Sequence, residues 1–131
     1  MNFESSSPIY AQIGDYICNN ILKKSWDEGE KIPSVRELAV SVEVNPNTVL
    51  RTYNSLQEKG IIFNKRGIGY FVDEGAYQTV KQMKTEEFVQ NELPKLFKTM
   101  DLLDITFDDL KSHYYRYEQS NNGGAQYENN K

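Results

Sequence analysis

The chain has 131 residues, a net charge of −4 and one cysteine, Cys18. That length allows one ordinary domain, or a small domain with an appendage, and a single thiol excludes an intramolecular disulfide and a cysteine-based zinc cluster. No run approaches the roughly 18 apolar residues of a membrane span, and Met1 to Ser7 lacks the apolar core of a signal peptide, so a soluble, cytoplasmic protein with no membrane contact is expected.

From about Pro8 to Lys24, Ile9, Ile13, Ile17 and Ile21 recur at four-residue steps with Tyr10 and Tyr16 beside them, which predicts a helix packed through one stripe. Cys18, next to that stripe, reads as a core or boundary residue. Ser25 to Gly29 supplies a turn plugged by Trp26, and a short lead-in strand follows at Lys31. Ser34-Val35-Arg36-Glu37 has the spacing of a capping box, so a helix starts near Val35 and buries Val35, Leu38, Ala39 and Val42. Val44-Asn45-Pro46 interrupts it. Asn45 suits an N-cap and Pro46 the first helical position, where no N–H is needed, so a second helix opens at once and runs to about Lys59. Gly60 then takes the C′ position. Val49, Thr52, Tyr53 and Leu56 form its inner face, which leaves Asn47, Leu50, Arg51 and Asn54 to point elsewhere.

Ile61-Ile62-Phe63 and Tyr70-Phe71-Val72 are rich in β-formers, and the stretch between them carries Lys65, Arg66, Gly67 and Gly69, which predicts a hairpin with a basic tip. A lead-in strand, two helices and a basic hairpin compose a winged helix-turn-helix, and double-stranded DNA is its leading partner, with the wing on phosphates or the minor groove. The negative net charge counts against this partner, and local counting answers part of the objection, because Lys31 to Val72 carries six cations against three anions. A modest positive face on an acidic body predicts weak nonspecific binding and a need for two copies.

Beyond Asp73-Glu74-Gly75 the helical pattern returns from about Ala76 to Met100, through Tyr77, Val80, Met83, Val89, Leu93, Leu96, Phe97 and Met100, with Pro94 kinking or dividing it. A break is expected at Asp101 to Ile105. Thr106-Phe107-Asp108-Asp109 resembles a capping box and opens a last helix through Leu110, Tyr114 and Tyr117. Two such helices bury their apolar faces on the winged domain or on a second copy, and pairing between copies is the preferred reading. Val89, Leu93, Leu96, Phe97, Met100, Phe107, Leu110 and Tyr114 are its dimerisation residues. Gln119 to Lys131 is polar, with Asn121-Asn122-Gly123-Gly124, and is expected to be disordered.

Ile32-Pro33-Ser34-x-Arg36-Glu37-Leu38-Ala39, Val44-Asn45-x-Asn47-Thr48-Val49, Leu56-x-x-x-Gly60-Ile61-Ile62 and Arg66-Gly67-x-Gly69-Tyr70-Phe71-Val72 resemble the DNA-binding domain of GntR-type bacterial transcription regulators. Pro8-Ile9-Tyr10-x-Gln12-Ile13 matches the family's first helix. With a tail of about sixty residues, the chain most resembles the short YtrA-type branch, whose members often regulate operons containing ABC transporters. The resemblance implies that Ser34 and Arg36 hold the backbone and base edges, that Asn45, Asn47 and Thr48 form the first turn of the recognition helix with Arg51 in the next, and that Gly69 lets the wing approach DNA. It also implies dimers made by the tail. The chain departs from the family at Pro46 and Leu50, where many relatives carry basic residues; Leu50 could touch a thymine methyl.

The expected architecture is therefore mainly α with a small β-hairpin: a winged helix-turn-helix domain over 1–75, a two-helix dimerisation region over 76–118 and a disordered tail over 119–131. The expected function is that of a homodimeric repressor on an inverted-repeat operator, with the resemblance pointing to a transporter operon. His113 is the only histidine and no G-x-S-x-G or P-loop occurs, so no enzyme, metal or cofactor is expected. Two alternatives stand beside it. One is a winged helix used for protein contact, which would show an apolar patch on the second motif helix, where only Leu50 supplies one. The other is a regulator that also binds a small-molecule effector among Phe97, Phe107, Tyr114 and Tyr117.

Overall fold

The computed structural model describes residues 7–129, with side chains as far as Asn122, and the chain divides into two compact units between Glu86 and Glu87. In the first unit, α1 (Ile9–Leu22), α2 (Val35–Val42) and α3 (Pro46–Glu58) precede an antiparallel hairpin of β1 (Ile62–Lys65) and β2 (Gly69–Val72), and α4 (Ala76–Glu87) follows.

The stripe of α1 packs as its spacing predicts from Ile13 onward, with Ile13, Ile17, Cys18 and Ile21 buried. Ile9 is 42% exposed, so the stripe begins one turn later than expected. Gly14 lies where α1 crosses α3, and a Cβ there would make an ordinary 3.8 Å contact with the Thr52 methyl. At the same crossing the single hydrogen of the buried Thr52 hydroxyl is shared between the carbonyls of Tyr10 and Thr48, both at 3.1 Å. The predicted inner faces of α2 and α3 join this core through Leu38, Ala39, Val42, Val49, Tyr53 and Leu56, with Val35 partly buried against it. Tyr53 binds the parts together. Its hydroxyl donates to the Pro33 carbonyl at 2.6 Å and its ring meets Tyr70 edge-on at 4.8 Å, while burial holds the phenol well above its usual pKa. Trp26 plugs the turn after α1, edge-on to Tyr16.

The lead-in strand is reduced to one bridge, Lys31 to Phe71, supported by Gly29 and Ile32 amides donating to Val72 and Tyr70. The hairpin pairs Ile62 with Val72 and Lys65 with Gly69. Its inner residues Ile62 and Val72 enter the core, whereas Phe63 and Phe71 stack on the other face with centroids 5.5 Å apart.

One boundary differs from the sequence reading. Ala76 and Val80 are fully buried in the core of the first unit, with Tyr77 and Met83 packed against it, so α4 completes the winged domain and the expected break at Gly75 lies at Glu86 instead. The cause is long-range. Glu28, in the turn after α1, accepts from the amide of Tyr77 at 3.1 Å and also from that of Gly75, capping α4 from 49 residues away, and Lys84 of α4 pairs with Asp15 of α1. These two amides, the larger share from Gly75, hold the Glu28 carboxylate below its ordinary pKa. A lowered folded-state pKa gives stability that is present above the ordinary carboxylate range and is lost as pH falls through the lowered value. Glu28→Ala should therefore reduce the melting temperature at neutral pH, and the difference from wild type should shrink in acid; thermal melts of both proteins across the acid range check this.

The second unit contains a π-helical turn (Phe88–Glu92), α5 (Leu93–Leu103) and α6 (Phe107–Asn129). Pro94 lies in the first turn of α5, directly after the wide turn. A proline lacks the N–H of an α ladder and crowds the preceding turn, and a π-helical turn is one way a helix absorbs that. Asp104, in the left-handed region at φ +54°, ends α5, so the break falls at Asp104–Thr106 and is shorter than expected. The capping box at α6 is present, with Asp109 accepting from the Thr106 amide at 3.0 Å and the Asp109 amide donating to Thr106 Oγ1 at 3.1 Å. The helix then passes its expected end at Glu118 and continues to Asn129. Gly123 and Gly124 weaken a helix by about 1 kcal/mol each, but neither removes an N–H from the ladder. Residues 130 and 131 lie outside the described residues.

Candidate nucleic-acid interface

The start of α2 is held by its own side chains. Ser34 Oγ accepts from the Glu37 amide at 3.1 Å, and Glu37 Oε1 accepts from the Ser34 amide at 2.9 Å, which keeps the Glu37 carboxyl below its usual pKa. Arg36, two residues after Ser34, is exposed.

At the start of α3, Asn45 Oδ1 accepts from the Asn47 amide at 2.8 Å and Pro46 occupies the first turn. Thr48 is half-buried, with its carbonyl accepting from Thr52. With Val49, Thr52, Tyr53 and Leu56 committed to the core, the opposite face carries an open trough lined by Asn47, Leu50, Arg51, Asn54, Ser55 and Glu58. Its N-terminal end is neutral to basic, and its C-terminal end carries the only carboxylate of the set. Leu50 is 41% exposed, a single apolar side chain among polar ones. Arg51 does not extend freely into the trough. Its Cζ lies 4.2 Å from the centroid of the Tyr10 ring on α1.

In the wing, Ile68 donates its amide to the Lys65 carbonyl at 2.8 Å, and Gly67 has φ +79°, the value a type II turn requires at its third residue. Lys65 Nζ lies 5.2 Å from the Phe71 ring centroid, while Arg66 stands exposed at the tip. Gly69 has φ +140°, and a Cβ there would come within 2.9 Å of Lys31 Cε. The backbone conformation thus already favours a glycine, apart from any approach to DNA, whereas the flexible end of Lys31 can move aside. Among the described residues Arg36, Arg51, Lys65 and Arg66 form no salt bridge, so their charge is uncompensated by a neighbouring carboxylate.

Local caps and turns made these segments visible in the sequence. The partners that fix their side chains were not: Tyr10 read only as a flank of the α1 stripe, and Lys31 as the start of a lead-in strand. In the second unit the proposed dimerisation residues are largely uncovered within the single chain. Val89, Leu96, Phe97, Phe107 and Tyr114 are exposed, Leu93 and Leu110 are half-buried, and Met100 alone is buried.

The family signature described as "Bacterial regulatory proteins, gntR family" matches residues 9–72, from α1 to the end of the wing. The uncharacterized HTH-type transcriptional regulator YhcF of Bacillus subtilis is 39% identical over 108 residues, 82% of this chain and 88% of that one. The HTH-type transcriptional repressor YtrA of the same organism is 44% identical over 80 residues, covering 61% of this chain and 62% of its own. A GntR-family transcriptional regulator from Bacteroides thetaiotaomicron, known as a crystal structure, is 41% identical with a TM-score of 0.72, over 88% of this chain and 100% of that one. The winged domain, its signature and relatives aligned into the tail agree: the chain belongs to the GntR family of DNA-binding transcription regulators, in its short, YtrA-like branch.

Proposed function

We propose that the protein is a cytoplasmic homodimeric repressor that reads an inverted-repeat operator, with a transporter operon as its target. The observation that carries the reading is the outward face of α3. Its other face is wholly committed to core, so Asn47, Leu50 and Arg51 are the side chains that a major groove would meet, with Asn45 and Thr48 at the helix start. Ser34 and Arg36 at the start of α2 serve phosphates and base edges, and Lys65, Arg66 and the Gly69 backbone serve the wing contact. The relative YtrA is named a repressor, which supports that direction of control. Repression here needs no catalysis: occupancy of the operator suffices.

Dimerisation through residues 87 onward is supported by the exposed aromatic and aliphatic side chains of the second unit. Exposed apolar surface of this density marks an interaction face, and a twofold axis would cover it with the same face of a second copy.

The wing provides a test. Neutralising Lys65 and Arg66 together should weaken binding across many sequences and flatten the slope of log affinity against log salt by up to about two charges' worth. Titrations of both proteins over a salt series measure it. An unchanged slope in a folded double variant would place the wing away from DNA.

A further inference from the structure

We propose that Tyr10 is a positioning residue for DNA reading, holding the Arg51 guanidinium in the pose from which it contacts a base. The inference rests on the reading of Arg51 given above and adds a residue of α1 to it. Arg51 Cζ lies 4.2 Å from the Tyr10 ring centroid, well within the range of a cation–π contact. An exposed arginine otherwise samples many rotamers and must be ordered when it binds. A ring face removes part of that cost in advance. It also differs from a carboxylate partner in one respect that matters here: it accepts none of the five guanidinium N–H donors, so the fork remains available for the paired acceptors of a guanine edge.

Tyr10 is itself fixed to α3. Its carbonyl accepts from the Thr52 hydroxyl at 3.1 Å, and Thr52 is the residue next to Arg51. The start of α1 is thus tied to α3 at the residue beside Arg51, and Tyr10 itself is 37% exposed.

The test compares Tyr10→Phe, Tyr10→Leu, Arg51→Ala and the double variant Tyr10→Leu with Arg51→Ala, using the full chain. Base preferences are read by selecting bound duplexes from a random pool, and affinities by titration of the selected operator. A preference profile reports only the folded, binding-competent fraction, so partial unfolding does not obscure it. Tyr10→Phe should match wild type. Tyr10→Leu should bind the operator about three- to fivefold more weakly and relax the preference at the same half-site position as Arg51→Ala. The double variant should be no weaker than Arg51→Ala alone. The inference is overturned by an unchanged profile in Tyr10→Leu, by additive losses in the double variant, or by a Tyr10→Phe protein as impaired as Tyr10→Leu. If Arg51→Ala itself left affinity and profile intact, the reading of Arg51 would fall, and this inference with it.

Discussion

Replacing Arg51 by alanine is expected to weaken binding to the operator by about 1–3 kcal/mol, roughly five- to 150-fold, if the guanidinium makes a paired contact with a base. Discrimination at one position in each half-site should be lost with it. Binding to unrelated duplexes should fall much less, because that binding rests on phosphate contacts spread over the surface. The domain should stay folded: Arg51 is exposed and its structural contact is with the exposed ring of Tyr10, whereas the α3 side chains that hold the core are Val49, Thr52, Tyr53 and Leu56. Anisotropy titrations on operator and scrambled duplexes separate the two effects. Equal losses on both would reduce Arg51 to a phosphate contact, and no loss on either would remove it from the interface.

The elements around Arg51 were legible because their signals are local. Ser34 with Glu37, Asn45 with Pro46, Gly60 at φ +75° and Thr106 with Asp109 each set a helix end through groups no more than three residues apart, and such pairings can be read along the chain. What escaped depends on distant contacts. The Glu28 carboxylate reaches the amide of Tyr77, and the ring of Tyr10 reaches Arg51, through packing that no spacing reveals. For that reason α4 read as tail when it is part of the winged core. The end of α6 escaped for the opposite reason: its propensity signal is weak, and a run of asparagine and glycine marks no definite stop.

The placement of α4 decides how the dimer is tested. Removing residues 76–131 would strip Ala76 and Val80 from the core and confound folding with assembly. Removal of residues 87–131 spares them, since the two units divide at Glu86 and Glu87. The truncated protein is expected to be a folded monomer that binds a single half-site about as well as the full chain. On the complete operator it should be weaker by about 100-fold or more, the usual gain when a second contact becomes intramolecular. A milder variant, Phe97→Asp, places a charge on a residue 51% exposed in the single chain, so it should impair pairing without harming the fold. Sedimentation velocity at micromolar concentration gives the assembly state. A truncated protein that stayed dimeric would move the interface into the winged domain, and a monomeric full-length protein with tight operator binding would remove the dimer altogether.

The most direct measurement of the central claim is selection of bound sequences from a pool of random duplexes by the purified full-length protein. A homodimer reading DNA through α3 and the wing predicts enrichment of one inverted repeat, with two equivalent half-sites at a fixed spacing set by how the second units hold the reading heads. Enrichment of a single unrepeated site would contradict the dimeric reading, and a folded protein that enriched no sequence would contradict the assignment of the winged domain to operator recognition.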